Sequence, residues 1–136
     1  MTKYNREDSK TELDAEDDAA HVNMGGEWHM PTKEQCEELF NTANCTSEWV
    51  TDYNGSGVNG HLFTSKVNGN KLFVPAVGYC EGGSVLRTVY EGYVWTSSLH
   101  SNDFRYARGF YFGSGIVGDV SYGNRCNGRS VRGVVG

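Results

Sequence analysis

The spacing of apolar residues in this chain changes near residue 45. Between 32 and 43 it is helical: Cys36, Leu39, Phe40 and Ala43 fall on one face. Thr32 with Gln35 three residues on forms a capping box, so the spacing predicts a helix over 32–43, with Trp28 and Met30 packing just before it. A shorter helix is predicted over 14–23, where acids crowd the first turn and favour the positive end of the helix dipole, and Gly25-Gly26 end it. Residues 1–13 are polar and charged and read as an extended lead-in. After residue 45 the segments 48–53, 60–67, 71–75, 93–98, 106–112, 116–122 and 130–134 read as short strands. Turn signals separate them, among them Asn54-Gly55-Ser56-Gly57, Asn68-Gly69-Asn70, Glu81-Gly82-Gly83 and Gly113-Ser114-Gly115. Leu72-Phe73-Val74-Pro75 reads as a central buried strand capped by its proline. Helices come first and strands follow, which gives an α+β class rather than alternating α/β.

A length of 136 residues fits one domain, 1–136, with one modest core. Hydrophobic residues at 38% and charged residues at 21% exclude a disordered polymer. The longest uncharged apolar stretches, such as 72–79, fall far below the roughly 20 residues that cross a bilayer, so no direct membrane insertion is expected. The opening MTKYNREDSK has no apolar core, so no signal peptide is visible in it. The net charge of −5 is uneven: residues 1–38 carry −7 and residues 39–136 carry +2. An acidic front half argues against nucleic acid as a partner.

Catalytic signatures are missing. There is no GxSxG, P-loop or HExxH, and no GxGxxG leading from a strand into a helix. Asp17/Asp18 and Glu37/Glu38 sit in expected helices, where neighbours do not face each other. Cys36, Cys45, Cys80 and Cys126 contain no CxxC pair, which argues against a zinc knuckle and leaves two disulfides or four free thiols open. Cys36 lies among Leu39 and Phe40 and reads as a packed, inert thiol. His21, His29, His61 and His100 are scattered. The expectation is no enzyme, no metal and no cofactor.

The informative segment is the last 38 residues. Residues 99–136 contain no Lys, Glu, Gln, Met or Trp, whereas residues 1–98 contain 22 of them. Within 99–127, Gly, Ser, Asn and Tyr make up 14 of 29 residues, a mixture like that of antibody combining loops. Phe110 and Phe112 are two apart and share one strand face, expected to be the core; Gly109, Tyr111 and Gly113 then point the other way. Ile116, Asp119, Val120, Ser121 and Tyr122 include residues that no single core would choose together, so a mixed, exposed surface is expected there.

At this point the chain resembles a known family. Gly25-Gly26-Glu27-Trp28-His29-Met30-Pro31-Thr32, followed by Glu37-Glu38-Leu39, is similar to the GG-x-W-R-[LM]-P-T … E-L opening of the major paralogous domain family first noted in Fibrobacter, which has a C-type-lectin-like fold. The similarity continues through Ser65-Lys66-Val67-Asn68-Gly69, residues 73–79, Gly92-Tyr93-Val94-Trp95-Thr96-Ser97-Ser98 and Ser130-Val131-Arg132, covering about 14–134. His29 stands where that family usually has Arg, and Gly133 where it has Pro or Cys. One branch of the family comprises the variable proteins of diversity-generating retroelements, in which adenine mutagenesis turns AAC codons into NNC codons. NNC codons cannot encode Lys, Glu, Gln, Met or Trp, the set missing from 99–136.

The resemblance implies a non-catalytic protein that binds a protein or cell-surface ligand through a variable region at 99–127, on a cell-surface, secreted or virion protein. The implied binding residues are His100, Asn102, Asp103, Phe104, Arg105, Tyr106, Tyr111, Ile116, Asp119, Val120, Ser121, Tyr122, Asn124, Cys126 and Asn127. Tyr106, Tyr111 and Tyr122 are the expected anchors, Arg105 and Arg108 the expected partners of acidic groups on the target. Trp28, Trp95, Phe110, Phe112, Val117 and Val131 are the expected buried framework. The calcium-dependent sugar motifs of lectins, Glu-Pro-Asn or Gln-Pro-Asp with Trp-Asn-Asp, do not occur. Two other readings stand beside this one: an adhesin or structural module of the same fold without programmed variation, and an oxidase like the formylglycine-generating enzymes, whose cysteine pair is missing here.

Overall fold

Side-chain caps set the start of both helices. A computed structural model describes residues 2–86 and 89–136, and for 116–119 the backbone alone. Helix α1, Ala19–Met24, begins at Asp18, whose carboxylate accepts the backbone N–H of Ala20 at 2.9 Å and of His21 at 3.0 Å. The same carboxylate accepts the N–H of Met30 at 2.8 Å. One acid that is 3% exposed thus fixes the helix and the chain returning past it. A 3-10 turn, Ala15–Asp17, precedes it, so the predicted 14–23 helix is two pieces broken at the cap. Helix α2, Lys33–Phe40, has the predicted capping box, with Gln35 N–H donating to Thr32 Oγ1 at 3.2 Å and Thr32 N–H to Gln35 Oε1 at 3.0 Å. It ends three residues earlier than predicted. Asn41 turns the chain by accepting the N–H of Ala43 on its side chain at 2.9 Å, and this leaves Ala43 exposed rather than on the packed face.

Among the described residues, eight strands follow in three antiparallel sheets. β1, Cys45–Val50, β2, Gly60–Ser65, and β3, Lys71–Pro75, form one in the order β1-β2-β3. β3 is therefore an edge, not a central strand, which suits a strand ending in a proline that has no N–H to donate. β4, Tyr79–Glu81, and β5, Ser84–Leu86, form a small hairpin where the sequence signalled only a turn. β6, Glu91–Leu99, β7, Tyr106–Gly113, and β8, Ile116–Asn124, form the third sheet in that order. The strand predicted over 130–134 is reduced to two isolated bridges, Ser130 with Val94 and Val134 with His29. The class is α+β.

The core lies between α2 and the two three-stranded sheets. Cys36, Phe63, Val74, Val94, Phe110 and Phe112 are buried there, with Leu39, Phe40, Trp49 and Val120 packed around them. The Phe40 ring centre lies 5.8 Å from that of Phe63 and 5.4 Å from that of Phe110. Gly92 is required beside Phe112: a Cβ there would stand 2.1 Å from the ring. His61 joins the sheets, its Nε2 donating to the Gly113 carbonyl at 3.0 Å. Burial pushes the Cys36 thiol up to about 12, so it stays protonated and unreactive. All four cysteines are free thiols. Two expected framework residues lie at the surface, Trp28 at 38% and Val131 at 44% exposure; the segment bearing Val131 pairs with β6 through the isolated bridge of Ser130 to Val94. The side chain of Val117 lies outside the described residues.

The lead-in is not a loose extension. Leu99 N–H donates to Thr11 O at 2.7 Å and Leu13 N–H to Ser97 O at 2.9 Å, which lays residues 11–13 along β6. Tyr4 is buried with Leu99 and Ala107. Lys3 Nζ meets Asp14 at 2.8 Å, Glu16 at 2.6 Å and Asp17 at 2.5 Å. Polarity predicted solvation; ion pairing and one aromatic residue give attachment. No helix among the described residues is long and apolar enough to cross a membrane.

Candidate functional site

Residues 99–127 run from the end of β6 through a loop at 100–105, then β7, β8 and the following turn. Strand alternation sorts their side chains. Phe110 lies opposite Val94 and Val120 on the core face, and Tyr111 lies opposite Tyr93 on the other. Val120, expected at the binding surface, is thus a packing residue: its register with Phe110 turns it inward. The side chains of Ile116 and Asp119 lie outside the described residues; their backbones pair with Gly113 and Tyr111.

The loop at 100–105 is held by its own polar groups. His100 Nδ1 accepts the backbone N–H of Asn102 and of Asp103, each at 3.0 Å, so any ring proton sits on Nε2. Arg105 forks onto Asp103, Nε to Oδ1 at 3.0 Å and Nη2 to Oδ2 at 2.7 Å. Arg105 beside it holds the Asp103 carboxyl down, at about 2. The Arg105 fork expected for an acidic target is therefore already filled from within. Asn102 and Phe104 are exposed. Arg108 covers Tyr122, its guanidinium carbon 4.5 Å from the ring centre and its Nη2 donating to the hydroxyl at 2.8 Å. Tyr122 remains 47% exposed, with the His100 ring centre 4.1 Å away. Tyr106, Tyr111, Ser121 and Asn127 are half-buried, and Asn124 and Cys126 exposed.

Residues outside 99–127 hold this segment through its carbonyl oxygens. Thr96 Oγ1 donates to Arg108 O at 2.7 Å, Trp95 Nε1 to Asn127 O at 3.3 Å, and His61 Nε2 to Gly113 O. Arg125 makes the same kind of tie from inside the segment, its Nη1 donating to Tyr4 O and Phe104 O, both at 2.8 Å.

Several clefts open beside these residues, among them two lined by side chains of the predicted set. The first, about 240 Å³, lies between the lead-in (Tyr4, Arg6, Lys10) and the loop (His100, Asn102, Phe104). The second, about 340 Å³, is lined by Tyr79, Tyr93, Tyr111, Tyr122, Asn124 and Arg129 among others. It brings together Tyr106, Tyr111, Tyr122, Asn124 and Asn127 of the predicted set, but not Cys126. Tyr79, Tyr93 and Arg129 were not expected there. Their ring centres stand 4.8 Å apart for Tyr79 and Tyr93, and 5.4 Å for Tyr93 and Tyr111. Arg129 lies across Trp95 and Tyr93, its guanidinium carbon 4.3 Å and 5.1 Å from their ring centres. Burial lowers its pKa, while Tyr93 and Tyr79 act the other way. The one signal in the sequence was the pair Gly109 and Gly123, whose missing side chains make room for the guanidinium. No protein-family model, curated protein or solved structure matches this chain.

Proposed function

We propose that this is a non-catalytic binding protein on a C-type-lectin-like scaffold, a variable protein of a diversity-generating retroelement, whose residues 99–127 form the surface that takes a protein or cell-surface ligand. The observation that carries the reading is where one composition falls in the fold. The stretch lacking Lys, Glu, Gln, Met and Trp begins at Thr96, inside β6, and includes both other strands of that sheet, with the loop beside them. Three tyrosines of that stretch line one cleft, and aromatic side chains of this kind supply large contact area at low entropic cost. The test is genetic. The source genome should hold a near-identical template repeat beside a reverse transcriptase gene, with differences confined to adenine positions. A source genome without such a repeat removes programmed variation.

The second reading is an adhesin of the same fold with a fixed surface. The packing of Val120 favours it, because a residue lodged beside Phe110 in the core does not accept arbitrary replacement. Sequences of sister copies decide between the two: invariance at 120 with change at 111 and 122 supports variation on a protected core, whereas invariance at all three supports the adhesin.

A further inference from the structure

Arg129 lies two residues beyond the stretch read as the combining surface, yet its guanidinium lines the second cleft. Its partners are rings. Trp95 and Tyr93 meet it by cation–π contact, which leaves the in-plane N–H groups unused. Nε and Nη1 are buried and have no hydrogen-bond partner among the described residues. A half-buried cation with no carboxylate bonded to it among the described residues is costly, and a group that brings the missing negative charge recovers that cost. Nη2 is the nitrogen nearest Gly123, where a Cβ would stand 2.0 Å from it; a Cβ at Gly109 would stand 2.7 Å from Nη1. Two glycines of the combining stretch therefore make the space in which Arg129 sits.

The geometry points to this cleft as a subsite for a single carboxylate of a protein target, an acidic side chain or a chain terminus, paired with Arg129 and flanked by the tyrosine rings. The inference rests on reading 99–127 as a combining surface and names the chemistry that surface takes. A monoanion fits better than a phosphate. Among the described residues Arg129 is the one basic residue lining the cleft, so it offers one cation for one negative charge. Glu91 accepts the Tyr93 hydroxyl, which keeps that acid at the wall of the cleft. Tyr93 and Tyr111 offer flat apolar area to whatever carries the carboxylate.

The experiment titrates the full chain with four probes. Hippurate stands for a chain terminus and N-acetylglutamate N-methylamide for an acidic side chain; hippuramide and inorganic phosphate are the contrasts. The Arg129 Nε–Hε resonance and the affinity are read together. At least one carboxylate should shift that resonance and bind about tenfold or more tightly than hippuramide or phosphate, as a charge-assisted hydrogen bond implies. Whichever carboxylate binds better identifies the source. Arg129→Met should abolish the difference between hippurate and hippuramide. Gly123→Ala keeps the charge but sets a methyl group where Nη2 lies, and should weaken hippurate about tenfold; it carries the test if Arg129→Met fails to fold. Equal binding of hippurate and hippuramide, tighter binding of phosphate, or unchanged hippurate affinity in the variant that folds overturns the proposal. The genomic search for a template repeat is independent of this titration, so the subsite and the combining surface fail separately.

Discussion

The two faces of the β6-β7-β8 sheet are built from alternate residues of the same strands, and they obey different constraints. On one face Val94, Phe110, Phe112 and Val120 pack against α2 and the first sheet, and each neighbour fixes the size of the next. On the other, Tyr93, Tyr111 and Arg129 meet at ring distances of 5 Å or so with a cleft of about 340 Å³ in front of them. The comparison teaches that one strand can hold a fold and display a surface at once, because a period of two separates the tasks residue by residue.

Substitutions on the two faces should therefore differ in kind. The largest effect is expected from Phe112→Ala: the ring is fully buried, and its loss should cost roughly 3–5 kcal/mol in denaturant unfolding. Asp18→Ala should follow, at roughly 3 kcal/mol, since it strands the N–H groups of Ala20, His21 and Met30 together. Trp95→Ala should cost about 2 kcal/mol, less than a fully buried tryptophan, because the ring is half-buried and packs on Leu99, Ala107 and the Arg129 guanidinium. Tyr122→Ala should change stability by no more than about 0.5 kcal/mol while weakening ligand capture. A Tyr122 variant as damaging as the Phe112 variant would erase the distinction between the faces.

The smallest expected effect is a pH dependence. The Asp103 carboxyl is held down at about 2 in the folded chain, below its ordinary value of 3.8. The unfolded chain then binds the proton more readily, so the contribution of this pair is present above about pH 4 and is lost as pH falls toward 2. Asp103→Asn should flatten that part of the stability curve, measured by thermal unfolding between pH 2 and 5. An unaltered curve would mean that the Arg105 fork does not order the loop.

Local chemistry made parts of the fold legible. The Thr32–Gln35 box, the bounds of β3 and the inward pair Phe110/Phe112 follow from spacing alone. What escaped depends on partners distant in the chain. Nothing near Tyr4 announces that it packs with Leu99 and Ala107, and residues 1–13 carry too few apolar side chains to show a docked face. The β4-β5 hairpin has three residues per strand, too short for a period of two to register. The inward packing of Val120 escaped because it depends on register with Phe110, and that register shifts between Tyr111 and Gly113. Arg129 escaped because it fills space left by two glycines on different strands, and that proximity exists only after β7 and β8 pair.

The bonds from Thr96, Trp95 and His61 all end on main-chain oxygens of residues 108, 113 and 127. Every amino acid carries that oxygen in the same place. A clamp of this kind grips the thread and ignores the beads, so a lineage can restring residues 108, 113 and 127 without renegotiating these three fastenings.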